Sequence, residues 1–164
     1  MKLQAKGGIQ GFTLVELMVV VVIASILLAV AVPSYMSQIR QSRRTDARTA
    51  VLDLAGREER YFSTNASQYT ATPADLGYGG AGWPTPVGSG YYQVTVCSPA
   101  CAPSAVPAPS YTIVAVPVAG SSQANDTPCQ GFAVDSTGAQ FAETGGAWAP
   151  ATPANASAAD CWSH

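Results

Sequence analysis

No lysine or arginine follows Arg60. The part of the chain beyond it instead carries Asp75, Asp126, Asp135, Glu143 and Asp160, so a domain built from it is acidic and has little to set against nucleic-acid phosphates. Binding of duplex DNA by that domain is therefore not expected. Histidine is as scarce: His164, the only one, closes the sequence, and no serine has a basic partner from which a nucleophile could be made. The glycines between positions 77 and 82 have neither a P-loop lysine nor a following helix. Asp126, Asp135 and Asp160 lack EF-hand-like spacing and read as turn and cap residues. The four cysteines include one close pair, Cys97 and Cys101, too few for the paired C-x2-4-C ligands of a zinc site. An enzyme, a cofactor and a bound metal are all unexpected.

A long uncharged stretch dominates what is present. Residues 12–32 are almost entirely apolar, and residues 17–39 run for 23 positions without a charge. At about 1.5 Å per helical residue the latter reach roughly 35 Å, enough to cross a bilayer core. A secretory signal would be cut after such a segment. Here Gly11-Phe12 offers a cut in front of it, behind Lys2 and Lys6, so that the apolar helix would stay in the mature protein. Glu16 does not suit an ordinary anchor, because a carboxylate in the membrane costs at least about 2.5 to 3.5 kcal/mol and implies a partner.

All six arginines (Arg40, Arg43, Arg44, Arg48, Arg57 and Arg60) lie directly after this span. Basic residues beside a span usually stay cytoplasmic. Lys2 and Lys6 already mark the short N-terminal side as cytoplasmic, however, and a cysteine-bearing head needs an oxidising compartment. The head is thus expected outside the cytoplasm. In residues 34–62, Ile39, Ala47, Ala50, Val51, Leu54, Tyr61 and Phe62 recur at spacings of three, four and seven, one apolar stripe of a helix that can cover a sheet. The charged residues fall on its other faces, where they serve either subunit docking or local ion pairs. Pro33 lacks an amide donor and should kink or locally open the helix.

Proline and glycine make residues 64–89 a long surface loop. Strands are expected at 91–96, 111–118, 131–135 and 139–142, the last two flanking a turn that ends in Gly138. Pro99, Pro103, Pro107 and Pro109 exclude regular structure from the connector at 98–110. Trp83, Trp148 and Trp162 read as core and loop anchors. A helix first and strands afterwards, with no βαβ alternation, predicts an α+β fold in which a sheet of three or four antiparallel strands packs on the helix.

The N-terminal residues resemble the class III signal of type IV pilins and pseudopilins: Lys2 and Lys6 in the leader, Gly11, then Phe12-Thr13-Leu14-Val15-Glu16, and Pro33 near the far end of the apolar helix. The resemblance implies that a prepilin peptidase cuts between Gly11 and Phe12 and that Phe12 is N-methylated. It also implies that Glu16 neutralises the terminal amine of a neighbouring subunit during assembly. Residues 42–48 and 57–65, followed by Tyr69-Thr70, are similar to PilE-type pilins, which are often minor components. On that pattern the chain divides into a leader (1–11), a membrane and polymerisation helix (12–39), its amphipathic half (40–63), an αβ-loop (64–89) and a sheet-bearing head (90–164).

Four cysteines allow three pairings. Cys129 and Cys161 occupy positions that look like the pilin disulfide bounding the distal region, a loop of about 33 residues worth on the order of 3.5 to 4 kcal/mol; Cys97 and Cys101 then pair with each other. The resemblance implies a subunit of a type IV pilus, single-pass in the inner membrane with its head in the periplasm and later part of an extracellular filament, serving adhesion, twitching motility or DNA uptake. Other pilin subunits, the prepilin peptidase and the inner-membrane assembly platform would be its partners. The alternatives are a pseudopilin of type II secretion and a DNA-binding receptor pilin of natural transformation.

Overall fold

A computed structural model describes residues 11–80 and 82–163; the expected leader with Lys2 and Lys6 lies, up to residue 10, outside the described residues, as does His164. Contacts divide the chain into two units, Met1–Gln38 and Ile39–His164. One helix, α1 (Leu14–Thr64), contributes to both and passes through Pro33 without a break. Of the two outcomes expected there, a kink or a local opening, the helix shows no opening: proline removes a single amide donor and the helix continues on either side of it.

The second unit contains a six-stranded antiparallel sheet whose strands follow one another in chain order: β1 (Thr85–Val87), β2 (Tyr92–Cys97), β3 (Thr112–Pro117), β4 (Gly131–Asp135), β5 (Gln140–Thr144) and β6 (Ala147–Pro150). A single 3-10 turn (Ser122–Asn125) interrupts the connection from β3 to β4, and α2 (Ala156–Ser163) follows the sheet. Strands β2 to β5 lie within two residues of the spans expected for them. The two additional strands correct the expected count of three or four. Both are edge strands and both carry proline, Pro86 and Pro150, which reads as a breaker in sequence but is tolerated at a sheet edge where one amide need not pair.

The head core forms where the apolar stripe of α1 meets one face of this sheet. Tyr92, Val94 and Val96 alternate inward along β2 and join Ile113, Phe132 and Val134 with Ala47, Val51 and Leu54 of α1 in one buried cluster. Burying each of the larger side chains contributes about 1.5 to 3 kcal/mol. The register sets Val94 opposite Ala115, Ala115 opposite Phe132, Phe132 opposite Ala142 and Ala142 opposite Ala149. Large and small side chains thus interdigitate along a row crossing five strands.

Two glycines are required by close approach. Gly88 has φ +54° and a Cβ there would stand 2.7 Å from the side chain of Asp46 on α1. A Cβ on Gly131 would stand 2.6 Å from the ring of Trp148, so only glycine lets that indole reach from β6 across to β4. Disulfides join Cys129 to Cys161 and Cys97 to Cys101, with Cα–Cα distances of 5.7 and 5.8 Å. The first ties the entry to β4 to α2; the second closes a turn at the end of β2.

Candidate functional site

In the first unit the helix is apolar and uncovered. Every large apolar side chain from Phe12 to Val32 is exposed, Phe12 at 81 %, and an 18-residue window has a mean hydropathy of 2.9 with none of it buried. So large an apolar surface marks a segment covered by lipid or by other apolar helices. The hydroxyl of Ser25 donates to the carbonyl of Val21 at 2.7 Å, which removes a polar group from that surface.

The polar chemistry concentrates at the helix start. Thr13 Oγ1 accepts the amide N–H of Glu16 at 3.2 Å, and the Thr13 carbonyl accepts the first turn's Leu17 N–H at 3.1 Å. Thr13 is thus the N-cap, and Thr13-x-x-Glu16 has the spacing of a capping box. The sequence reading gave Glu16 a role and overlooked Thr13, although that spacing was there to be read. With its backbone capped by a neighbour, the Glu16 carboxylate makes no hydrogen bond or ion pair among the described residues and lies in the first helical turn, where negative charge is favourable. Gly11 and Phe12 stand immediately before the cap, and Pro33 lies within α1 far from it.

The arginine-rich segment holds one local ion pair of the expected kind, Arg57 with Asp53, while three of its arginines reach partners far along the chain. Arg44 donates through Nε and Nη2 to both oxygens of Asp126, at 2.7 and 2.6 Å, and Asp126 is 2 % exposed. Hydrogen bonding to Asp126 raises the Arg44 pKa further, against the opposing effect of burial. Arg48 reaches the carbonyls of Trp162 (3.0 Å) and Cys161 (3.4 Å) at the C-terminal end of α2, where a cation meets unsatisfied carbonyls and the negative end of the helix dipole. Arg43 lies over the Tyr91 ring, 3.4 Å from its centroid, and donates to Ser122 Oγ at 2.8 Å. Arg57 donates to Asp53 and to the Leu76 carbonyl. Four arginines are therefore turned into the head, fastening α1 to the 3-10 turn, to α2 and to the loop after α1. The sequence separation of these partners, 82 positions for Arg44 and Asp126, hid them from a local reading of charge.

Glu58 is the other residue the sequence reading misplaced. Its charge places it among the residues expected off the apolar stripe, yet it continues the stripe of Val51 and Leu54 and is fully buried. Asp135 is the acceptor of the turn after β4. Its Oδ1 takes N–H and O–H from Thr137 and N–H from Ala139, while Oδ2 takes the Ser104 hydroxyl. Burial pushes its carboxyl up, but these donors outweigh it and hold it below the usual value. Among the described residues no group of three or more His, Cys, Asp or Glu side chains could hold a metal ion.

An exposed apolar helix with a capped, carboxylate-bearing start, continuing into an amphipathic half packed on an antiparallel sheet, is the architecture of a type IV pilin, and residues 7–32 match the prokaryotic N-terminal methylation motif. Within that class the chain belongs to the family described as type IV minor pilin ComP, DNA uptake sequence receptor, whose sequence profile matches residues 33–133. It is also 33% identical over 69 residues to the type IV major pilin protein PilA of Myxococcus xanthus (strain DK1622), a match covering 42% of this chain. The chain thus aligns with less than a third, 31%, of the length of that relative.

Proposed function

We propose that this protein is a non-enzymatic subunit of a type IV pilus, of the minor-pilin kind. In this reading a prepilin peptidase cuts between Gly11 and Phe12, Phe12 is N-methylated, and residues 12–39 hold the chain in the inner membrane with its head in the periplasm. The inner-membrane assembly platform then moves the subunit into an extracellular filament, where its apolar helix packs against those of other pilin subunits. One observation carries the reading: a fully exposed apolar helix holds a single carboxylate, Glu16, in its first turn. A lipid anchor accounts for the apolar surface but gains nothing from the charge. Pairing with the new amine at Phe12 of a neighbour gives the charge a partner and sets the axial position of the incoming subunit. Glu16→Leu should therefore insert into the membrane as well as the wild type or better, yet be missing from sheared filaments. Normal incorporation of that variant would contradict the reading.

The family match favours a second role, reception of DNA for uptake. In this chain Arg43, Arg44, Arg48 and Arg57 are engaged within the head, which leaves Arg40 and Arg60 as the arginines whose side chains make no hydrogen bond among the described residues. A DNA contact built on two cations neutralises few phosphates, so it would be weak at physiological salt. Such a role would require either repeated copies along a filament or release of the engaged arginines.

A further inference from the structure

The soluble half of α1 buries a carboxylate with no counter-charge. Glu58 is fully covered. Its Oε2 accepts the amide N–H of Thr70 at 3.2 Å, and its Oε1 is buried without a hydrogen-bond partner. Glu59 on the same helix, Tyr69 and Asp75 from the segment after α1, and Tyr111 immediately before β3 are the titratable groups that face it. None of them is a cation. The Tyr69 hydroxyl is given to Glu59 at 3.2 Å and the Thr70 hydroxyl to Asp75 at 2.9 Å, so neither is free to serve Glu58. Burial above all, with the negative charges of Glu59 and Asp75, outweighs the Thr70 N–H and raises the Glu58 carboxyl to about 7.

An ionised carboxylate in this place must find water or remain uncompensated, and the second alternative costs several kcal/mol. The loop after α1 lies over Glu58 and is anchored to it through the Thr70 amide. Local opening of such a loop is far easier than unfolding of the sheet behind it. We propose that Glu58 is a proton-operated latch: neutral, it holds residues 68–76 closed over the end of α1, and ionised, it releases them to water. The latched segment borders two clefts, one lined by Gln68, Tyr69, Pro99 and Pro109, the other by Arg57, Arg60 and Asp75. Release therefore reshapes the head surface on both sides of the loop.

The direction follows from linkage. The closed state binds the proton more tightly than the open one, so its advantage is complete below the ordinary carboxyl range. It declines as pH rises from there and is gone above about 7. Hydrogen exchange on the full chain in detergent micelles, normalised for the intrinsic pH dependence of exchange, measures this directly. Between pH 5 and 8 the protection of the amides of residues 70–72 and 74–76 should fall roughly tenfold or more, since one unit of displaced pKa corresponds to a tenfold change in the opening equilibrium, while the β3 amides stay protected. Glu58→Gln, neutral throughout, should give a flat profile over the same range. Glu58→Leu should give low protection of Thr70 at every pH. A wild-type profile that is flat from pH 5 to 8 overturns the latch, as does an unchanged pH dependence in Glu58→Gln. If either variant loses protection in β3 as well, the head has unfolded and the wild-type profile alone decides.

Discussion

Arg44 and Asp126 form a bidentate ion pair between the soluble half of α1 and the turn before β4, with N–O distances of 2.7 and 2.6 Å. Gln123 adds a third donor to the same carboxylate at 2.8 Å. The pair gives the basic residues directly after the long apolar segment a structural use: the Arg44 charge is spent on holding the head to the helix that carries it.

Removing one partner should leave the other buried and uncompensated. Asp126→Ala is expected to destabilise the head by about 3 kcal/mol, the low end for breaking a buried pair, because Arg44 keeps 18% exposure. The double variant with Arg44→Ala should cost less than the two single costs added together. Chemical denaturation of all three variants measures this, and strict additivity would show that the two residues do not act as a pair.

The disulfides should differ in weight. Cys161→Ser removes a bridge spanning 32 positions and loosens α2, whose carbonyls receive Arg48. Cys101→Ser opens a ring spanning only 4. In the loop-entropy account the first costs on the order of 3.5 to 4 kcal/mol and the second roughly 2 at most. Melting temperatures under non-reducing conditions test the order; a larger loss for Cys101→Ser would reverse it.

Asp135 gives a pH dependence opposite in sign to that of Glu58. Its carboxyl is depressed in the folded head, so its stabilisation is present above the ordinary carboxylate range and is lost as pH falls through the depressed value. Asp135→Asn should cost roughly 1 to 3 kcal/mol at pH 7, since a hydrogen-bonded charged acceptor becomes a neutral one. The gap between variant and wild type should narrow as the pH drops below about 4. A gap that stays constant down to pH 2.5 would contradict the assignment.

Much of this arrangement was legible from the residues. The stripe Ala47, Ala50, Val51 and Leu54 marked the packed face of α1, and the turn ending in Gly138 located β4 and β5 on either side of it, because helix periodicity and turn chemistry are local properties. The edge strands were not legible: Pro86 and Pro150 signal breaks unless the sheet edge is already known. Glu58 sits on the apolar stripe by period but is charged by type, and burial overrode type. The partners of Arg43, Arg44 and Arg48 depend on the folded path of residues far along the chain. For that reason a cluster whose charges read as serving subunit docking or local ion pairs is, for Arg43, Arg44 and Arg48, an internal clasp.

That clasp bears on nucleic acid. In a gel shift at near-physiological salt, the soluble unit from Ile39 onward should bind duplex DNA weakly, with a shallow salt dependence reflecting few phosphate contacts. Replacing Arg40 and Arg60 together should abolish most of that binding. Tight binding that distinguishes one sequence from competitors would make DNA reception the main role of the head and require the engaged arginines to be freed.

The central claim is that the chain is processed and polymerised. Filaments sheared from the cell surface and analysed by intact mass and N-terminal peptide mass spectrometry test it most directly. The account predicts a chain that begins at Phe12, carries one additional methyl group on its terminal amine and is present in the filament fraction as a minor component. A chain found only in membranes with Met1 to Gly11 still attached, and absent from filaments, would contradict it.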